Sequence, residues 1–252
     1  NFLMFKNKLC LYIQLMRLNN PIGIFLLLWP PFWVIASSND GSIYNYVSLI
    51  FLIGVITSRS IGCVINDFFD RDFDSKVSRT KDRPYASNLI NKKEIFLIFI
   101  LLSLINLSLL AFLNLKTIFL ALIAIMSIIF YPLTKRFLKA PQIFLGFTFA
   151  ISTLMAFTSI KNEIPDLIAW VFFFATLIWV IMFDTMYAMA DKDDDLKIGI
   201  NSTAILFGNN DKIIIGFLQF VFFTIFIYIG YLKEYGSIFY LFLILAILIG
   251  VY

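Results

Sequence analysis

Long apolar runs separated by short polar clusters organise this chain. Eight runs stand out, over roughly 21–38, 45–65, 95–113, 117–133, 141–159, 165–183, 212–231 and 236–252. Each is continuous rather than alternating, which excludes the period-2 pattern of membrane barrel strands. At about 1.5 Å per helical residue, each can cross, or nearly cross, a hydrocarbon core of about 30 Å. The pattern predicts an all-α, polytopic transmembrane bundle with eight spans, its whole length (1–252) forming a single intramembrane domain. Asn1 is not a methionine, and the final run stops at Tyr252 without a polar tail, so further C-terminal sequence is expected.

Composition supports this class. Hydrophobic residues make up 61% of the chain and charged residues 14%, against about 45–50% and 25% in a soluble domain. The same bias excludes disorder. There are no histidines, which removes His-based triads, His-ligated metals and a His general base. The two cysteines, Cys10 and Cys63, belong to no CxxC pair and read as apolar fillers. A formal charge of +4 is too small to suggest nucleic acid as a partner.

Charge placement orients the bundle. Lys6, Lys8 and Arg17 precede span 1. Arg71, Lys76, Arg79, Lys81, Arg83, Lys92 and Lys93 follow span 2. Lys135, Arg136 and Lys139 follow span 4, and Lys192, Lys197 and Lys212 follow span 6. The alternate loops hold only Lys116, Lys161 and Lys233. The positive-inside rule therefore places the N-terminus and the long loops in the cytoplasm.

Acidic residues gather on that same side. Span 2 ends in Asn66-Asp67-Phe68-Phe69-Asp70-Arg71-Asp72-Phe73-Asp74, and span 6 runs from Asp184 into Asp191-Lys192-Asp193-Asp194-Asp195. If each helix continues through its cluster, Asn66, Asp70 and Asp74 share one face, and so do Asp184, Asp191 and Asp195. The spacing Asp-x-x-x-Asp thus occurs twice, four spans apart, as in a four-helix unit used twice. Neighbouring carboxylates repel and are costly in a membrane helix, so something must offset them. Hard oxygen ligands suit Mg²⁺, which completes its shell with phosphate oxygens and water. Two such faces would hold a Mg²⁺-diphosphate, with Arg71, Lys81, Arg83, Lys135, Arg136, Lys192 and Lys197 available for the remaining phosphate charge. A cation transporter and a CDP-alcohol phosphotransferase are the competing readings. The first should place its polar site near the midplane, and the second needs an Asp-Gly-x-x-Ala-Arg signature that is absent here.

These residues carry a resemblance. Asn66–Asp74 matches the first motif, Asn-Asp-x-x-Asp-x-x-x-Asp, of the UbiA-type superfamily of intramembrane aromatic prenyltransferases. Asp191–Asp195 matches its second, Asp-x-x-x-Asp. The stretch from Tyr187 to Gly208, Arg17–Gly23, Leu28–Pro30 and Lys81–Pro84 are similar to the branch that acts on 4-hydroxybenzoate in ubiquinone synthesis. The resemblance runs from about residue 9 to the end. It implies nine transmembrane helices, the ninth beyond Tyr252. It also implies Mg²⁺ as cofactor, and a polyprenyl diphosphate and 4-hydroxybenzoate as substrates. The setting would be the lipid bilayer of the bacterial (or mitochondrial) inner membrane, with the site facing the cytoplasm.

Roles follow from that resemblance. Asn66, Asp70, Asp191 and Asp195, then Asp74 and Asp184, are expected to hold the metal-diphosphate, with Asp70 and Asp191 central to catalysis. Asp67 and Asp194 are expected to face water or to support the ligands from behind. Tyr131 and Lys135 match a Tyr-x-x-x-Lys element, so Tyr131, Lys135, Arg136 and Lys192 are expected to bind substrate, with Lys135 and Arg136 gripping the leaving diphosphate. Arg59 lies inside span 2, seven residues before Asn66 on the same face. An intramembrane Arg is a functional candidate by default. Arg59 or Arg17 would meet the carboxylate of the aromatic acid.

Overall fold

The computed structural model describes residues 2–75, 80–134, 137–199 and 201–250, and every regular element among them is helical. Eight apolar helices occur where the hydropathy places them. They are α2 (Ile22–Ser38), α3 (Tyr46–Phe69), α5 (Lys92–Leu110), α6 (Leu115–Thr134), α7 (Pro141–Lys161), α8 (Leu167–Ile198), α10 (Asp211–Leu232) and α11 (Ser237–Gly250). Six apolar segments, α3 and α5–α8 plus the stretch through α10, meet both the length and the hydropathy of a membrane span, whereas α2 and α11 are apolar but shorter. Three further helices lie outside this set: α1 (Phe2–Leu15), α4 (Arg71–Asp74) and α9 (Thr203–Phe207).

Local signals set the helix ends. Asn45, Asp166 and Ser202 each accept a backbone N–H three residues on, and Asn91 forms a reciprocal capping box with Glu94; a good cap is worth about 1 kcal/mol. Gly199, at φ 72°, stops α8 with its N–H on the Asp195 carbonyl, a left-handed position where glycine carries no Cβ penalty. The 32 residues of α8 amount to about 48 Å. That exceeds the hydrocarbon core, so its charged last turns project beyond the membrane.

Helix α7 is the hub, packing on α2, α3, α6 and α8. The reason lies in its small residues. Ala150 and Thr153 are fully buried, and a Cβ on Gly146 would lie 2.9 Å from the Leu177 carbonyl of α8. Small side chains let membrane helices approach closely where lipid removes the hydrophobic drive. Around this contact the core collects Val34 and Ile35 of α2, Ile151 and Leu154 of α7, and Phe172 and Phe173 of α8. Trp33 stacks within 5.2 Å of Trp179 and 5.1 Å of Phe226, tying α2 to α8 and α10.

A second cluster covers the end of α3 that carries the first acidic motif and the start of α5. Leu15 of α1 packs with Val64, Tyr85, Ile90, Ile95 and Ile98. Lys8 and Tyr12 both donate to Glu94 Oε1, at 2.7 and 2.8 Å. Hydropathy alone missed α1 because its 14 residues are too few to span and too mixed to score; its apolar side packs on α3, on the start of α5 and on the segment between them. The first acidic cluster also differs from expectation. Helix α3 ends at Phe69, and Asp70 caps it with φ −94° and ψ 6° before α4 begins. Asp70 N–H still bonds to Asn66 O at 2.8 Å, and Asp74 N–H to Asp70 O at 2.7 Å. The four-residue step survives the break.

Candidate active site

One cavity of about 700 Å³ runs through the bundle between α2, α3, α5, α6, α7 and α8. Its polar end is lined by Arg17, Arg59, Asn66, Asp67, Arg83, Tyr131, Asp184 and Tyr187, and its other wall is apolar, reaching Ile50 on α3 and Leu110 on α5. Seventeen residues of α3 separate Ile50 from Asp67, so the cavity is about 25 Å long. It therefore joins an ionic chamber to an apolar channel that runs along α3.

The chamber is organised around Asp67. This carboxylate is only 2% exposed. It accepts Nη2 of Arg17 at 3.0 and 3.3 Å and Nη1 of Arg83 at 3.2 Å. The same Arg83 Nη1 donates to Oδ2 of Asp74 at 2.7 Å. Of the two expectations for Asp67, facing water or supporting the ligands from behind, burial excludes the first: it is the hub of a four-residue network. Two guanidiniums supply the compensation that a buried carboxylate requires. Burial raises the Asp74 carboxyl above the usual carboxylate range, and Arg83 beside it offsets only part of that rise.

Local backbone geometry delivers Arg17 to this hub. Leu18 N–H bonds to Ile13 O and Arg17 N–H to Gln14 O, which is the Schellman pattern of a helix end. Arg17 takes the left-handed position at φ 57°, where a non-glycine residue costs on the order of 1 kcal/mol. The ion pair with Asp67 offsets that cost. Arg83 comes from the Lys81–Pro84 segment, whose turn is closed by Arg83 N–H on Thr80 O at 3.0 Å. Thr80 Oγ1 donates to Asp74 O at 2.9 Å, fixing the turn to α4.

Arg59 stands apart from this network. It lines the cavity, half-buried, and forms no hydrogen bond or ion pair with any described residue. Its guanidinium lies against Gly23 of α2, where a Cβ would come within 2.6 Å of Nε. Gly23 thus leaves room for the guanidinium in this position, and a side chain there would displace it. Asn66 lies two turns along the same face and lines the same chamber.

The remaining candidates divide. Asp184 and Tyr131 line the chamber with Asn66. Asp70 is 7% and Asp74 8% exposed at the end of α3 and in α4. Asp191 and Asp195 lie about two and three turns beyond Asp184 on the same helix, partly exposed. Lys192 departs from expectation: its Nζ donates to the Gly208 carbonyl at 2.7 Å and lies 3.4 Å from Asp211. It ties the end of α8 to the start of α10 instead of facing the chamber. Lys135, Arg136 and the Asp194 side chain lie outside the described residues. Tyr187, Asn20 and Asn106 also line the cavity. Asn20 and Tyr187 lie in stretches that carry the resemblance, though no spacing singles them out, and Asn106 sits in a helix with no motif of its own.

Asparagine and aspartate oxygens make up the acidic set, which is the donor type that suits Mg²⁺. Among the described residues no three carboxylates close into a self-sufficient metal site. Mg²⁺ typically binds one or two carboxylates and takes substrate phosphate oxygens for the rest, so an open, divided donor set fits an ion shared with a diphosphate.

A description of the UbiA prenyltransferase family matches residues 27–252. The 4-hydroxybenzoate octaprenyltransferase of Vesicomyosocius okutanii subsp. Calyptogena okutanii is 47% identical over 237 residues, covering 94% of this chain and 86% of that relative. The enzyme of the same name from Aeromonas hydrophila is 42% identical over 250 residues, covering 99% and 87%. Among solved structures, a UbiA homologue from Aeropyrum pernix K1 superposes with a TM-score of 0.75 at 22% identity, covering 88% of this chain and 83% of that one. A UbiA homologue from Archaeoglobus fulgidus bound to GPP and Mg²⁺ gives a TM-score of 0.72 at 19% identity, covering 93% and 82%.

Proposed function

The chain belongs to the UbiA prenyltransferase family, and from that premise we propose that it prenylates 4-hydroxybenzoate for ubiquinone biosynthesis. The donor is a polyprenyl diphosphate, and the product is 3-polyprenyl-4-hydroxybenzoate plus diphosphate. The observation that carries this reading is the cavity's two-part character: an ionic chamber with Arg59, Asn66 and Asp184 opening directly into an apolar channel. A substrate with a charged head and a long hydrocarbon tail fits that shape, and a small aromatic acid fits beside the head.

The chemistry follows from the parts. The allylic C–O bond breaks, its electron pair leaving with the diphosphate. The ring carbon ortho to the phenol oxygen attacks the allylic carbon and then loses its proton. Asn66, Asp70 and Asp74, the last through Oδ1, with Asp184, Asp191 and Asp195, would hold Mg²⁺. That ion, when bound, neutralises the departing diphosphate. Tyr131, Lys135 and Arg136 take up the phosphate charge that remains. Arg59, with its hydrogen-bonding capacity unspent on the protein, receives the carboxylate of the aromatic acid; Arg17 is already committed to Asp67. Apolar walls exclude water, protecting the allylic cation from hydrolysis, and Tyr131 and Tyr187 offer ring faces to it.

This reading also places the chain in the inner membrane with the chamber at the cytoplasmic face, as the loop charges favour. The test uses the protein in native membranes with 4-hydroxybenzoate and octaprenyl diphosphate, with Mg²⁺ or EDTA, and product detection by mass spectrometry. Mg²⁺-dependent 3-octaprenyl-4-hydroxybenzoate is the expected result. Folded protein that forms no prenylated product with any donor would overturn the proposal.

A further inference from the structure

We infer that Gly54, on the deep part of the channel wall, is a specificity-determining residue that lets donors with long prenyl tails pass. The inference rests on the prenyltransferase reading above and adds a determinant of donor length to it. Gly54 lines the cavity on α3, twelve residues from Asn66, which places it about 18 Å along the helix from that residue. Opposite it stands α5. A Cβ on Gly54 would meet Leu109 Cδ1 at 3.7 Å and Asn106 Oδ1 at 4.0 Å. Ordinary contact with α5 is therefore reached by one added carbon, and a larger side chain must displace Leu109 and Asn106, which themselves line the channel. The two walls are also held at fixed spacing here. Ser58 Oγ, one turn from Gly54, donates to Asn106 Oδ1 at 3.2 Å, and Asn106 Nδ2 donates to Leu102 O at 3.3 Å.

Length decides which donors notice this position. A geranyl tail has eight backbone carbons and reaches about 10 Å at about 1.3 Å of advance per C–C bond. It ends above Gly54. An octaprenyl tail, with thirty-two backbone carbons, reaches about 40 Å on the same estimate. It must pass Gly54 and continue beyond the channel. Its exit is the lipid: Leu107 on α5 and Ile125 on α6 line the cavity and are also 64% and 42% exposed on the outer surface.

The experiment compares geranyl and octaprenyl diphosphate with wild type, Gly54→Leu and Leu110→Trp, the last on the facing wall. Each is assayed in membranes with 4-hydroxybenzoate and Mg²⁺. The expected result is that both variants keep geranyl transfer within about threefold of wild type while octaprenyl transfer falls at least tenfold. The competition ratio of the two donors then shifts by the same factor. Gly54→Ala, which adds only the tolerated carbon, should leave the ratio unchanged. An unchanged ratio in both bulky variants, or loss of geranyl transfer in both, would overturn the assignment. A wild-type protein inactive with either donor would instead defeat the prenyltransferase reading, so the two failures are distinguishable.

Discussion

Nη2 of Arg17 stands 3.0 Å from Oδ1 of Asp67, joining the turn after α1 to the last turns of α3 across fifty residues of sequence. The carboxylate is 2% exposed, while the Arg17 side chain keeps 29% of its surface. The pair therefore sits at the chamber edge, charged on the water side and closed on the protein side.

Removing the hub should be more harmful than removing one arm. Asp67→Ala leaves Arg17 without its carboxylate and Arg83 with Asp74 alone, and should destabilise the fold by about 3 kcal/mol. Asp67→Asn keeps the size and one acceptor and should cost about half of that. Thermal unfolding in detergent checks the order. Equal midpoints for wild type and Asp67→Ala would show that the network carries no stability.

Arg59 offers a sharper kinetic test. Arg59→Ala should raise the KM for 4-hydroxybenzoate by about 10- to 100-fold, the worth of a hydrogen bond to a charged group, with little change in the KM for the prenyl diphosphate. Gly23→Ala should reproduce part of this effect without touching a charge, since its Cβ would sit 2.6 Å from Arg59 Nε. Parallel shifts in both KM values for Arg59→Ala would remove the carboxylate role.

Asp191→Ala should reduce turnover by at least 100-fold while the protein still inserts and unfolds at its normal temperature. The residue is partly exposed near the end of α8, so little packing is lost. Normal turnover would eliminate the second acidic motif from the metal-diphosphate site.

Lys192 separates a positioning role from a phosphate contact. Its amine bonds Gly208 O and faces Asp211. If it acts by tying α8 to α10, Lys192→Met and Asp211→Asn should each lower kcat several-fold, and the double variant should be no worse than Lys192→Met alone. Lys192→Arg should restore most of the rate. If Lys192 instead grips diphosphate, Asp211→Asn will be silent and Lys192→Met will raise the KM for the donor.

Much of this protein was legible before any coordinates. The eight apolar helices, the two acidic clusters on one side and the isolated intramembrane Arg59 all follow from local rules. A helix needs a run of apolar residues to cross lipid, and charge in such a run demands a reason. The break at Asp70 was not legible, because capping geometry depends on how α4 and the Thr80–Arg83 turn pack. Helix α1 was missed for a related reason: its stability comes from Leu15 and Tyr12 meeting α5 and the segment before it.

The partners of each charge belong to tertiary structure alone. Spacing puts Asn66, Asp70 and Asp74 on one face, but it cannot say that Asp67 turns inward to two arginines from distant segments. It cannot say that Lys192 turns toward Gly208, or that Gly23 makes room for Arg59. Hydropathy and spacing act within one helix, so the chain's order suffices to read them. Ion pairing and close approach act between segments tens of residues apart, and only the packed bundle determines which segments meet.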